Sequence, residues 1–494
     1  MKKILNAILI TVIMLTAMIT FAGCKADNLG AISKNLTNYT IDFDIDVANK
    51  TVSASQTVDY VNDSQEELDD VRFHLYPRAF CEGVVNKTVS KTQSAKAYPN
   101  GESYASIEIS KLSVAGKEIE ANYTGEDKDI LVAKLDEPLV PLARVKIEIN
   151  YSIIIPNILH RFGYGDNTIN LGNIYPVACV REESGWSECP YHPNGDPFYS
   201  NIANYNVTAS YDSSYTMALT GESSTIKQSN KNKTTATARA VRDFAMVLSN
   251  KFSVMSADVN GVKVNYYYFD DENAGENLQI SKDALICFSK KFYKYPYSTL
   301  SVVKADFVHG GMEYPNLVYI SADIDDKLQY QNCIVHEIAH QWWYGLVGNN
   351  EYTEAWLDEP LAEFSTALFY KWHSNYNVRY RDVISSAQDN MSLFLSVYRE
   401  VLGTVDTSMN RPVNKYPTDA EYVYNIYVKG VLMYDCLMSS IGERKLVGAL
   451  SDYAHQFAFK NATGNDLINC FEKSTKIKLN EFFNSWVNGS IILN

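Results

Sequence analysis

Residues 332–345 read NCIVHEIAHQWWYG, and the meaning of that run decides how the rest of the chain is interpreted. On a helix, residues four apart lie one above the other on the same face. His336 and His340 can therefore direct two imidazoles at one point, with Glu337 beside them. This is the HExxH spacing in which two histidines hold zinc and the glutamate acts as general base. Catalytic zinc takes three protein ligands and keeps one position open. The following stretch EYTEAWLDEPLAEFSTALFY supplies a second helix beginning near Leu357, with Glu359 nineteen positions after His340. Two antiparallel helices joined by a loop can bring Glu359 opposite the histidines, so His336, His340 and Glu359 are the expected metal ligands. Glu363, one turn further on, is a candidate to accept the outward N–H of a ligating histidine. Glu354 and Asp358 compete for that post.

Outward from this run the chain divides into two textures. From about 38 to 250, short runs such as NYTIDFDIDVANKTVSASQTVDYV and ANYNVTASYD alternate apolar and polar residues between Asn-, Gly-, Asp- and Ser-rich turns. That pattern predicts a mostly antiparallel sheet domain. The loop CVREESGWSECPYHPNGDPFYS (179–200) reads equally as surface connection or as a segment leaning over a neighbouring site. Leu278, Ala284, Leu285, Phe288 and Phe292 then recur at helical spacing. A strand-like run is broken by Gly310 and Gly311, and beyond 327 the pattern is largely helical. The boundary falls at 258/259, giving a β domain over 38–258 and a mainly helical domain over 259–494.

At 494 residues, 46% hydrophobic and 21% charged, the chain is long enough for two or three domains with their own cores. A formal net charge of −14 argues against nucleic acid as a partner, because phosphate backbones demand basic surface. Lys2 and Lys3 precede the apolar run ILNAILITVIMLTAMITFAG and then Cys24, which reads as a signal peptide over 1–23. FAGC resembles the lipobox of bacterial lipoproteins, with Phe21 where leucine is usual. The expectation is a lipidated Cys24, a polar tether over 24–37, and a protein held outside the cytoplasm at the membrane. An uncleaved anchor is the alternative, since about 20 apolar residues can span a bilayer. Of eight cysteines, seven follow Cys24. Cys179 and Cys189 form the most plausible local pair in an oxidising compartment, and the others read as buried thiols.

Taken together, these runs resemble the M1 family of zinc aminopeptidases, the gluzincins. HEIAH with Glu359 meets the family spacing, and HEIAHQWWYG and WLDEPLAEF follow its wording, with Pro360 in place of glycine. GGMEY (310–314) stands for the family's exopeptidase motif, with Tyr314 in place of asparagine, and YVKG (427–430) for another. The likeness extends back into TVDYVNDSQEELDDVRFHLYP. It implies a thermolysin-like catalytic domain over 259–494, one zinc ion per chain, Glu337 as general base and acid, and Tyr427 as oxyanion donor with Tyr422 beside it. Gly310, Gly311, Met312 and Glu313 would bind substrate, Glu313 by meeting the α-ammonium of a peptide with a free N-terminus. A second amine-binding residue belongs to the β domain, and Glu188 is the candidate. The chain ends at FFNSWVNGSIILN, about where the family's catalytic domain should end, which implies an open cleft without the usual C-terminal helical domain. Two other readings stand beside this one: a zinc endopeptidase with an open cleft, and a non-catalytic surface binding protein on a peptidase fold.

Overall fold

The computed structural model describes residues 29–489, so the expected signal peptide, Cys24 and the first part of the tether lie outside the described residues. The alternating runs become an eight-stranded sheet. Its order is Glu222–Lys227, Lys231–Val241, Ala203–Asp212, Thr37–Asp46, Thr51–Val61, Arg144–Ile154, Ser106–Val114 and Lys117–Ile119. Along Thr37–Asp46 burial alternates residue by residue, so that Tyr39, Ile41, Phe43 and Ile45 face the core. One pairing departs from the antiparallel pattern. Thr37–Asp46 runs parallel to Ala203–Asp212, with Tyr39 opposite Tyr205 and their rings stacked at 4.8 Å. Such a pair needs a long crossover, and residues 47–202 supply it, building further strands of this sheet and all of a four-stranded sheet that contains Leu68–His74 and Ile130–Leu139. Another four-stranded sheet contains Ala245–Ser249, buried along its whole length.

The second domain opens with a five-stranded sheet ordered Ser253–Val259, Val262–Tyr268, Thr299–Ala305, Leu317–Ser321 and Gly311–Met312. Asn260 and Gly261, both at positive φ, fold the first two strands into one hairpin. Ser253–Val259 therefore belongs to this sheet, and the boundary lies ahead of residue 253 rather than at 258/259. Gly311–Met312 pairs on one side only and forms the sheet edge. Helix Ala274–Lys291 buries Leu278, Ala284, Leu285 and Phe288, the spacing read from sequence. Helices Lys327–Ala339, Glu359–Trp372, Tyr380–Leu402 and Lys429–Ile441 follow, and three more close the chain.

Arg242 joins the two domains. It is 1% exposed, and its guanidinium donates to the carbonyls of Ser200 (3.0 Å), Tyr344 (2.5 Å) and Lys460 (2.6 Å) and to the Asn461 side chain. Gly348 has to be glycine here, because a Cβ would lie 2.1 Å from the Arg242 Cζ. The neighbouring Asp243 accepts from the Tyr344 hydroxyl.

Cys179 and Cys189 are separate thiols, contrary to the expected pair. Cys179 is buried under the strand that holds it by a bond from its N–H to Arg72 O, whereas Cys189 turns toward Ser187 and Asn350. Among the described residues no helix is long and apolar enough to cross a membrane.

Arg242→Met strands three carbonyls in a dry interface. It is expected to destabilise the folded chain by at least about 2 kcal/mol, read as a lowered urea midpoint.

Candidate metal centre and substrate cleft

Helix Lys327–Ala339 is started by Asp326, whose carboxylate accepts from the Gln329 N–H at 2.8 Å. Ile334, Val335, Ile338 and Ala339 fix one face in the core. The opposite face carries His336, and His340 sits at the C-cap, its N–H still bonded to His336 O. The residues that follow lock this helix end. His340 Nδ1 donates to Trp343 O at 2.8 Å, which directs Nε2 outward. Trp343 Nε1 donates to Ser365 Oγ on helix Glu359–Trp372, and Trp342 Nε1 to Tyr293 O.

Glu359 is the first residue of its helix, and Asp358 caps it by accepting the Glu359 N–H at 2.8 Å. Pro360 suits this first turn, where its missing N–H is no loss. The ring is received by Gly430, whose Cβ would fall 2.6 Å from it. His336 Nε2 and His340 Nε2 lie 3.1 Å apart, and each is 3.2 Å from Glu359 Oε2. Tetrahedral zinc with ligands at about 2.0–2.1 Å places neighbouring donor atoms about 3.3 Å apart, so this triangle fits three vertices of such an ion.

The local electrostatics favour a cation. Burial disfavours charge on both imidazoles, yet Glu359 draws both above the usual histidine range. Burial likewise opposes ionisation of Glu359, but His340 and His336 hold its carboxyl below the usual range. Glu363 Oε1 is 3.3 Å from His336 Nδ1, a charge contact without the alignment of a hydrogen bond. Glu354 instead accepts from Gly464 N, and Asp358 is used as the cap.

Glu337 lies beside the triad, with Oε2 buried and unpartnered. Burial pushes its carboxyl up to about 7 against the pull of His336 and His340. Gly311 faces it directly, since a Cβ there would lie 2.3 Å from Glu337 Oε1, whereas one on Gly310 would meet only Cys333 Sγ at 3.8 Å. The Tyr427 hydroxyl donates to Glu359 Oε1 from a π-helical turn, Tyr424–Val428, a distortion that recurs at functional sites. In the same segment Lys429 is structural, its ammonium donating to Thr407 O (2.6 Å) and Trp486 O (2.7 Å). The Tyr422 hydroxyl is buried without a partner, its ring edge-on to Tyr427 at 5.9 Å.

A cleft of about 570 Å³ extends from this centre between the domains. Gly310, Gly311 and Glu313 line it, while Met312 is buried behind them with Sδ 2.9 Å from Arg161 Nε. Glu313 is 4% exposed, and its Oε1 has no hydrogen-bond partner. Burial pushes its carboxyl well above the usual range, and Asp196 adds to this. The Gln341 amide holds its main chain, donating to Tyr314 O at 3.2 Å and accepting from Asn316 N at 2.8 Å. Tyr314 points the other way, into the domain interface against Phe198, Tyr319 and Gly172.

Two further residues come from the β domain. The 179–200 loop does reach the cleft, through residues 193–196. Asp196 brings a carboxylate oxygen within 4.8 Å of those of Glu313 and Glu359 and is paired with Arg161. Glu188, the candidate from sequence, is absent from the cleft lining and is paired with Arg72, because its part of the loop lies on the sheet. No spacing rule selects Asp196. The only signal was an acid in an irregular loop of uncertain course.

Residues 276–486 match the peptidase family M1 domain. The chain is 26% identical over 242 residues to human endoplasmic reticulum aminopeptidase 2, a match covering 45% of this chain and 24% of that protein. It is 27% identical over 227 residues to aminopeptidase N of Lactobacillus delbrueckii subsp. lactis, covering 43% and 26%. The match thus spans about a quarter of the length of these relatives. In three dimensions the chain is similar to a substrate-bound variant of an M1 zinc metallopeptidase from Deinococcus radiodurans holding Tyr-Ser-Ala. The TM-score is 0.63 at 16% identity, covering 92% of this chain and 94% of that one.

Gly311→Ala must displace the Glu337 carboxylate and is expected to lower kcat about 100-fold with metal retained, while Gly310→Ala stays near wild type. Glu363→Gln is expected to weaken zinc binding about tenfold, measured by chelator competition.

Proposed function

We propose that this chain, which carries a peptidase family M1 domain, is a zinc-dependent aminopeptidase releasing N-terminal residues from peptides. The observation that carries this reading is Glu313: a buried carboxylate with an unpartnered oxygen, within 4.8 Å of Asp196 and Glu359 carboxylate oxygens. Arg161 already neutralises Asp196, so Glu313 is left to meet one positive charge. An α-ammonium supplies that charge and several donors, and charge-assisted bonds of this kind are the strong ones. With the amine fixed there, the first carbonyl is held at the triad.

His336, His340 and Glu359 would hold the zinc, which when bound polarises a carbonyl and brings the pKa of water at its open position from 15.7 toward about 7. Glu337, which lines the cleft and has an unpartnered Oε2, takes the water proton and returns it to the departing nitrogen. Tyr427 turns its hydroxyl from Glu359 Oε1 to the developing oxyanion, a donor worth about 10²–10³ in kcat. The edge strand Gly311–Met312, unpaired on its outer side, offers backbone groups to an extended peptide. The proposed location is extracytoplasmic, lipid-anchored through Cys24, supported by Lys2, Lys3 and the apolar run before FAGC.

Matched peptides with free and acetylated N-termini test the reading. Cleavage of the free form only is expected, and equal cleavage of both would overturn it. Glu313→Gln is expected to lower kcat/KM on the free form about 10- to 100-fold. Glu337→Gln is expected to abolish turnover with zinc content unchanged, and full activity in that variant would remove Glu337 from the mechanism.

A further inference from the structure

We propose that the trough between helices Lys327–Ala339 and Glu359–Trp372 receives the residue that follows the cleaved bond, and that Asn332 and Tyr370 select an amide side chain, glutamine, at that position. This rests on the aminopeptidase reading above.

The two helices pack together and run in opposite directions. Glu359, at the start of one, meets His340 and His336 near the end of the other, while Glu363, a turn later, meets His336. One face of the second helix carries Glu359, Glu363, Thr366 and Tyr370, and all four line the cleft. The first helix brings His336, Cys333 and Asn332 to the same cleft. At a rise of about 1.5 Å per residue, Asn332 lies about 6 Å beyond His336 and Tyr370 about 16 Å beyond Glu359 along the axes. The register that sets His336 between Glu359 and Glu363 sets Asn332, one turn earlier, opposite Thr366. Helical side chains lean back toward their own N-terminus, so the Tyr370 hydroxyl returns toward that same level.

The edge strand fixes the direction in which a peptide enters the trough. A Cβ on Gly310 would lie 3.8 Å from Cys333 Sγ, one on Gly311 would meet Glu337, and Tyr314 O is held by Gln341. The strand therefore travels along helix Lys327–Ala339 from Cys333 toward the helix C-terminus, and Glu313 stands at that far end. A peptide with its amine at Glu313 that follows this edge passes the metal ligands and leaves over Gly311 and Gly310, toward Cys333 and Asn332.

The trough offers the next side chain two unmet polar groups. Tyr370 is 2% exposed and its hydroxyl has no hydrogen-bond partner, and Asn332 Oδ1 is likewise buried and unpartnered. Thr366 Oγ1 already donates to Ala362 O at 2.9 Å, and Val383 adds an apolar wall. An amide meets both groups at once, its N–H donating to Asn332 Oδ1 and its carbonyl accepting from the Tyr370 hydroxyl. Glutamine has the length to reach the Asn332 level from the second position. Methionine matches that length and makes neither bond. It leaves both groups buried and unpaired, a loss that corresponds to about tenfold in kcat/KM.

The test compares the purified chain with Asn332→Leu and Tyr370→Phe on the tripeptides Leu-Gln-Ala and Leu-Met-Ala. The wild-type glutamine-to-methionine ratio of kcat/KM is expected to be about tenfold, and to fall toward unity in each variant. Both substrates meet the same enzyme preparation, so a loss of folded protein cancels from the ratio. A wild-type ratio near unity, or a ratio retained in either variant, overturns the subsite and leaves the aminopeptidase reading standing. No release of leucine from either peptide by the wild type overturns that reading and the subsite with it.

Discussion

The structure depends on holding two imidazoles and a carboxylate with three donor atoms 3.1–3.2 Å apart in a buried place. Such a cluster is unfavourable unless a positive charge sits within it, because burial raises the cost of every uncompensated group. The chain invests many contacts in keeping it assembled. Trp343 supplies a carbonyl to His340 and an indole N–H to Ser365, so the end of one helix is tied to the next. Asp358 fixes the first turn that presents Glu359, and Gly430 receives Pro360. These supports explain why tryptophan, aspartate, proline and glycine surround the ligands.

The candidate site is shared between the domains. The candidate metal ligands, Glu337 and Tyr427 come from the second domain, but Asp196 and Arg161 come from the first. The cleft therefore exists only while the domains stay docked, and Arg242 is one of the buried links that dock them. Gln341 connects the two tasks within one motif. It follows His340 directly, and its amide holds the chain on both sides of Tyr314, fixing Glu313 relative to the ligands.

Much of this was legible in the sequence because its signals are periodic. Alternation exposed the strands, and the spacing of His336, His340 and Glu359 exposed the triad. What escaped was everything whose meaning depends on long-range packing. The parallel pairing of Thr37–Asp46 with Ala203–Asp212 leaves no local mark. The hairpin at Asn260–Gly261 ties Ser253–Val259 to the second domain's sheet, which displaces the domain boundary. Asp196 and Glu188 are equally acidic members of one irregular loop, and only the folded course of that loop separates them. The family resemblance assigns Gly311 to substrate binding, yet the group that a side chain there would meet first is the Glu337 carboxylate.

X-ray absorption at the zinc edge on the purified, unchelated chain tests the central claim most directly. The account predicts one zinc per chain with four light-atom neighbours at about 2.0–2.2 Å, two of them imidazole nitrogens. A sulfur neighbour at about 2.3 Å, which would draw Cys333 into the site, or a folded chain devoid of zinc, would contradict it.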